Sequence, residues 1–296
     1  MKWARRILLG VVSVVLIAVL LVFGLSYRRL HRTYEVARPA IVLPTDSAEL
    51  ARGAHLTIAI GKCAGCHGDD YGGKVFIDAG PFGHVTAPNL TRGNGGLGNT
   101  LTDADYVAAI THGVRPDGTS LLFMPSEAYA SFSRADIAAV VAYLRTRPKV
   151  DRPSPPPSLG PIGRMLLATG QPFMTADLVD HDAPIPDSMP AAVTADYGKY
   201  LTHVGGCTGC HNPSLSGGPI PGAPPEIKPA ANLTRGGLTG WTIGDFRRAL
   251  REGVRPGGTA IDSFMPWRYT KYMTDGEIES VWLYLQVVPA KEFGKQ

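Results

Sequence analysis

The chain has four cysteines, and they lie in two short stretches of one pattern: Cys63-Ala64-Gly65-Cys66-His67 and Cys207-Thr208-Gly209-Cys210-His211. C-x-x-C-H is the attachment signature of c-type haem: the two thiols form thioethers to the vinyl groups, and the adjoining His reaches the iron from one side. With all four cysteines in these motifs, none is left for a disulfide or a catalytic thiol. A single such motif would also describe half a zinc site or a redox dithiol.

The motif is the centre of a longer repeat. Upstream, Gly53-Ala54-His55-Leu56-Thr57 aligns with Gly198-Lys199-Tyr200-Leu201-Thr202. Downstream, Asn89-Leu90-Thr91-Arg92-Gly93 aligns with Asn232-Leu233-Thr234-Arg235-Gly236. Gly113-Val114-Arg115-Pro116 then matches Gly253-Val254-Arg255-Pro256, and Phe123-Met124-Pro125 matches Phe264-Met265-Pro266. The offset between copies drifts only from 145 to 140 residues. A repeat of this length with one motif per copy predicts two similar domains, each with a covalent haem c, and it displaces the zinc reading.

The elements that must position these residues are helical. Apolar positions Leu50, Ala54 and Ile58 predict a helix over Glu49–Ile60 leading into the first motif. Capping pairs Thr102/Asp105 and Ser133/Asp136 predict helices over Tyr106–His112 and Ile137–Arg145. Thr242/Asp245 and Thr274/Glu277 repeat them before Phe246–Glu252 and Ile278–Gln286. The expected architecture is mainly α: domains over 45–148 and 191–290, joined by a Pro-rich segment, 149–190. Its prolines predict an extended strap, and its apolar middle, Ile162 to Ala168 with Phe173, predicts that it packs on a domain surface.

Ahead of the domains, Ile7 to Leu25 carries no charge. As a helix these 19 residues reach about 28 Å, the thickness of a bilayer's hydrocarbon core. Phe23-Gly24-Leu25-Ser26 offers no small-residue cleavage site, so residues 1–28 read as a retained anchor rather than a signal peptide. Arginines flank the span on both sides and leave its orientation open. The basic balance belongs to this end of the chain: of the net +4, residues 1–38 carry +6 and the remainder −2. A high pI of this origin gives no reason to expect a nucleic-acid partner. Residues 190–296, with 11 basic and 9 acidic side chains, hint weakly at an acidic partner.

Together these motifs (G-x-x-L-T before C-x-x-C-H, then N-L-T, a capped helix and M-P before the last helix) resemble class I cytochromes c. More narrowly, they are similar to the cytochrome c subunits of bacterial membrane-bound alcohol, gluconate and aldehyde dehydrogenases. The resemblance covers about 45–148 and 190–290. It departs in the number of motifs, two where those subunits commonly have three, and in the N-terminal place of the anchor. It implies the class I fold, a periplasmic location for the haem domains and, as second axial ligands opposite His67 and His211, Met124 and Met265. A Met beside an aromatic is otherwise ordinary core filling. Among rivals, His84 and Met273 stay open, His203 lies on the wrong side of its motif, and His112, with Arg251 or Glu252 at its counterpart, reads as a surface histidine. The resemblance also gives Pro88 the role of accepting the proximal His N–H, although Ala231 stands at the aligned place. Arg92, Arg115, Arg235, Arg255 and Trp241 are candidates for haem propionates, or are simply solvated loop residues.

No Ser/His/Asp set, phosphate loop or dinucleotide fingerprint is visible. The expected function is therefore a dihaem electron relay in the inner membrane, between a dehydrogenase or quinol-oxidising complex and a terminal oxidase or soluble cytochrome. The alternative is a dihaem enzyme, peroxidase-like or thiosulfate-oxidising, with one open haem site.

Overall fold

The computed structural model describes residues 2–223 and 226–295, and it is mainly helical. Met1, the first residue of the expected anchor, lies outside the described residues. Helix α1, Lys2–Leu30, extends two residues beyond the expected anchor, with the apolar side chains of its span exposed. It is long and apolar enough to cross a membrane.

Two series of elements then follow in the same order. In the first, α2 (Ser47–His55) enters the motif helix α3 (Cys63–His67), and α4 (Asp103–His112), the short α5 (Ser126–Tyr129) and α6 (Arg134–Arg145) follow. In the second, α8 (Ala195–Val204) enters α9 (Cys207–His211), followed by α10 (Ile243–Glu252), α11 (Trp267–Thr270) and α12 (Asp275–Val287). The caps stand where the sequence places them. Thr102/Asp105, Thr242/Asp245 and Thr274/Glu277 are complete reciprocal boxes. At Ser133 only half of the box forms, because Arg52 and Tyr200 take the Asp136 carboxylate instead.

Why Gly opens the G-x-x-L-T pattern is visible at the helix crossings. A Cβ on Gly53 would lie 2.0 Å from the Ala139 carbonyl oxygen of α6, and one on Gly198 would lie 1.8 Å from that of Ser280 in α12. The glycines let α2 cross α6, and α8 cross α12, at backbone contact. Leu56 and Leu201 fill the core beside each crossing, and the hydroxyls of Thr57 and Thr202 bond back to the carbonyls of Ala54 and Gly198.

Three features differ from the sequence expectation. The predicted single helix 49–60 ends in a π-helical turn over Leu56–Ile60, where Gly61 N donates to Leu56 O at 2.7 Å. A small antiparallel sheet, unforeseen, is formed by β1 (Lys74–Ala79), β2 (Gly83–Ala87) and β3 (Ser158–Leu159). The strap is not extended throughout: Pro161–Ala168 forms helix α7, with proline at its first turn. α7 packs on the end of α1, where Arg29 donates to Leu167 O at 2.7 Å and the Arg164 guanidinium lies 5.1 Å from the Phe23 ring centroid. Elsewhere the strap does lie on the body, its Phe173 tilted against Phe123 and edge-on to Phe82.

One apolar core runs through both series, from Leu56, Ile137 and Val141 to Leu201, Ile278 and Leu285. The contact is reciprocal: α5 leans on α8, and α11 leans on the π-helical turn before α3. Polar bonds cross the same boundary. Tyr200 donates to Asp136 at 2.5 Å, Asp136 also holds Arg52, and His55 Nε2 lies 2.8 Å from Glu277 Oε1.

Candidate haem centres

Each motif is a single helical turn reached through a residue in the left-handed region, Lys62 at φ 53° and Gly206 at φ 68°. The four thiols are unpaired. Burial pushes Cys63 up to about 12 and raises Cys66, Cys207 and Cys210 as well. A redox dithiol or catalytic cysteine needs a lowered pKa, so this environment suits neither.

The two histidines are held alike. His67 Nδ1 is 2.8 Å from Pro88 O, and His211 Nδ1 is 2.7 Å from Ala231 O. A carbonyl only accepts, so Nδ1 carries the proton in both rings and Nε2 keeps its lone pair. Burial lowers both pKa values, against the pull of the carbonyl, and keeps the rings in the neutral form that can bind a metal. The mismatch of Pro88 with Ala231 has no consequence, because the acceptor is a backbone carbonyl that either residue supplies.

That carbonyl is positioned by the N-L-T pattern. Asn89 Oδ1 accepts from Thr91 N and Oγ1, while its amide donates to Val150 O, beyond α6. Asn232 does the same with Thr234 and with Lys291 O, beyond α12. The asparagine therefore clamps the chain after the last helix of each series to the loop that holds the histidine. The repeat made these asparagines conspicuous in the sequence, but not what they clamp.

Met124 and Met265 occupy equivalent turns. Both are half-buried against the common core, each is followed by Pro, and the carbonyl of each accepts from the amide two residues on at 2.8 Å. The rivals make other contacts. His84 belongs to β2 and contacts Thr86 at 3.0 Å; His203 Nδ1 bonds the Lys199 carbonyl within α8; Met273 is buried, and Arg251 bonds its carbonyl. His112 is not a surface residue. It is 7 % exposed, and its Nδ1 lies 3.2 Å from that of His181 on the strap, a partner 69 residues away that its own helix could not reveal. Among the propionate candidates Arg92, Arg235 and Arg255 are exposed and Trp241 is half-buried, whereas Arg115 bonds its own loop at Ser120 O and Thr119 Oγ1.

Residues 48–144 match the family model described as cytochrome c oxidase, cbb3-type, subunit III. Over 82% of its length the chain is 29% identical to the cytochrome c subunit of a quinone alcohol dehydrogenase from Gluconacetobacter polyoxogenes, covering 57% of that protein. It is 26% identical to the fructose dehydrogenase cytochrome subunit of Gluconobacter japonicus, over 86% of this chain and 56% of the relative. A dihaem c-type cytochrome of Cereibacter sphaeroides is 28% identical over 83% of this chain and 88% of its own length. The chain thus spans little more than half of the dehydrogenase subunits it matches.

A cytochrome c domain implies covalently attached haem c, and the residues fit that group: unpaired thiols three positions apart, and a neutral imidazole with Nε2 free for iron. The chain is thus similar along most of its length to the cytochrome subunits of alcohol and fructose dehydrogenases, and over residues 48–144 to a cytochrome c oxidase subunit family.

Proposed function

We propose that this chain is a membrane-anchored cytochrome c with two haems that relays single electrons. The supporting observation is that one geometry occurs twice: a neutral His with Nδ1 on a backbone carbonyl, two thiols on the same turn, and a methionine on the matching loop before α5 and α11. In this reading residues 45–148 and 191–290 are the haem domains and 149–190 the strap.

Haem c, when bound, supplies an iron that cycles by one electron. Cys63 and Cys66 hold one group, and Cys207 and Cys210 the other. The carbonyls of Pro88 and Ala231 orient His67 and His211 and make Nε2 a better donor. Met124 and Met265 would each offer the bound group a soft thioether, a ligand that raises the reduction potential. The common core keeps the two sites at a fixed separation.

Helix α1 serves as the anchor. Its end is fastened to the body, with Ser26 fully buried and Arg29 bonded to the strap, which favours retention over cleavage. The haem domains then face the periplasm. The electron donor is a dehydrogenase, as the names of the relatives suggest, or a quinol-oxidising complex; the acceptor is a terminal oxidase or a soluble cytochrome.

The test is the oxidised electronic and EPR spectrum of the purified chain, normalised to haem. Two low-spin irons per chain, both with the sulfur-to-iron charge-transfer band, are expected. Met124→His and Met265→His should each remove that band from one iron and lower its potential. A high-spin iron in the wild type would refute the closed relay and direct attention to peroxide turnover.

A further inference from the structure

One cation stands between the two thiol pairs. Lys62 directly precedes Cys63, and its ammonium donates to Ile60 O at 2.7 Å in its own series and to Gly205 O at 2.6 Å in the other. Gly205 closes α8, two residues before Cys207. Burial lowers the pKa of this ammonium, and the thiols that oppose the shift belong to both motifs: Cys207 and Cys210 on one side, Cys63 on the other. Its counterpart in the repeat, Gly206, has no side chain, so the bridge is made from one side only. Lys62 also holds a left-handed backbone, φ 53°, that disfavours a side chain.

We propose that Lys62 is a positioning residue shared by both haem sites, pinning the turn that enters one motif to the turn that enters the other and bringing one positive charge to bear on both irons. The inference rests on the two-haem reading. A fixed cation favours the state with the extra electron, and it acts most strongly where water is excluded. A side chain serving one site would shift one potential; Lys62 shifts two. Lys74 offers the contrast: it is exposed on β1, and its charge reaches Cys66 of the first motif.

The experiment uses the full chain in detergent, as wild type and as Lys62→Met, Lys62→Gly, Lys62→Arg and Lys74→Met. Lys62→Gly copies Gly206 and relieves the backbone, so it keeps the test open if Lys62→Met does not fold. Haem per chain, the two midpoint potentials by spectroelectrochemistry, and amide hydrogen exchange at Gly206 and Gly209 are measured. The expected result is unchanged haem content with both potentials lowered in Lys62→Met and Lys62→Gly, at most one lowered in Lys74→Met, and both largely retained in Lys62→Arg. Exchange at Gly206 and Gly209 should quicken about tenfold in the two uncharged variants, as loss of a charged hydrogen bond implies. Potentials that shift singly or not at all, or exchange that stays at the wild-type rate, would overturn the proposal. A wild type with one haem per chain would instead defeat the two-haem reading, and the exchange rates would still decide whether Lys62 joins the two turns.

Discussion

Replacing Gly198 by alanine sets two effects of opposite sign against each other. Within a helix, alanine is favoured over glycine by about 1 kcal/mol. At this crossing, however, the added methyl would lie 1.8 Å from the Ser280 carbonyl oxygen, about 1.5 Å inside an ordinary carbon–oxygen contact. That oxygen is backbone in α12, so the strain is relieved only by moving a whole helix within the common core. Overpacking of this kind costs about 1–3 kcal/mol, sometimes more. Set against the helical gain, the net loss is up to about 2 kcal/mol, which would lower the melting temperature by up to about 4–8 °C in a chain of this size. Gly53→Ala should behave alike, its methyl 2.0 Å from Ala139 O. Gly244→Ala, at an open place in α10 where the nearest atom is 3.6 Å away, should be neutral or slightly stabilising. Thermal melts of the haem-loaded variants, followed by circular dichroism, decide the matter. If Gly53→Ala or Gly198→Ala melts at or above the wild-type temperature, the close crossing that explains the G-x-x-L-T pattern is wrong.

Glu277 gives a pH test. Burial pushes its carboxyl up, but the contacts with His55 and Thr274 outweigh burial and hold it below the usual range. A depressed carboxylate stabilises the fold fully above its unfolded value of about 4.3 and loses that contribution as pH falls through the folded value. Glu277→Gln should therefore cost about 1–3 kcal/mol at pH 6 and progressively less below about pH 4, in urea titrations at the two pH values; an equal gap at pH 3 and 6 would contradict this. Tyr200→Phe removes the hydroxyl that donates to Asp136 and leaves a buried carboxylate oxygen short of a partner, so a loss of about 1–3 kcal/mol is expected in the same titrations. Asn232→Ala deletes the bonds to Thr234 and Lys291 and should quicken hydrogen exchange in the segment after α12, with little change at α6.

Much of this molecule could be read from its sequence because the informative residues act locally. A cap signals through a residue three positions on, and Thr102, Thr242 and Thr274 begin their helices as the pattern says. The motif turns, helical boundaries and equivalent methionine loops likewise follow from short spacings seen twice. What escaped depends on distant partners. The last turn of α4, Ile110-Thr111-His112, mixes apolar and polar side chains and leaves the surroundings of His112 undecided; its partner His181 comes from the returning strap. α7 was concealed by the prolines around it, although Pro161 is well placed at a first helical turn. The hairpin leaves a trace in Lys74-Val75-Phe76-Ile77, Gly80-Pro81 and Val85-Thr86, strands too short to impose a clear period on the sequence. The π-helical turn and the bridge at Lys62 depend on packing between the two series, to which spacing within one series does not speak.

The reciprocal seating of α5 on α8 and of α11 on the π-helical turn has the form of an isologous contact, the kind two identical subunits make about a two-fold axis. Joining the partners in one chain makes their pairing independent of protein concentration, since the strap keeps each in reach of the other. It also lifts the constraint of symmetry. In a homodimer every residue at the axis meets its own copy, and two lysines would confront each other between the motifs. In this chain Lys62 faces a series whose equivalent position is Gly206, so one charge fits where a symmetric pair would repel.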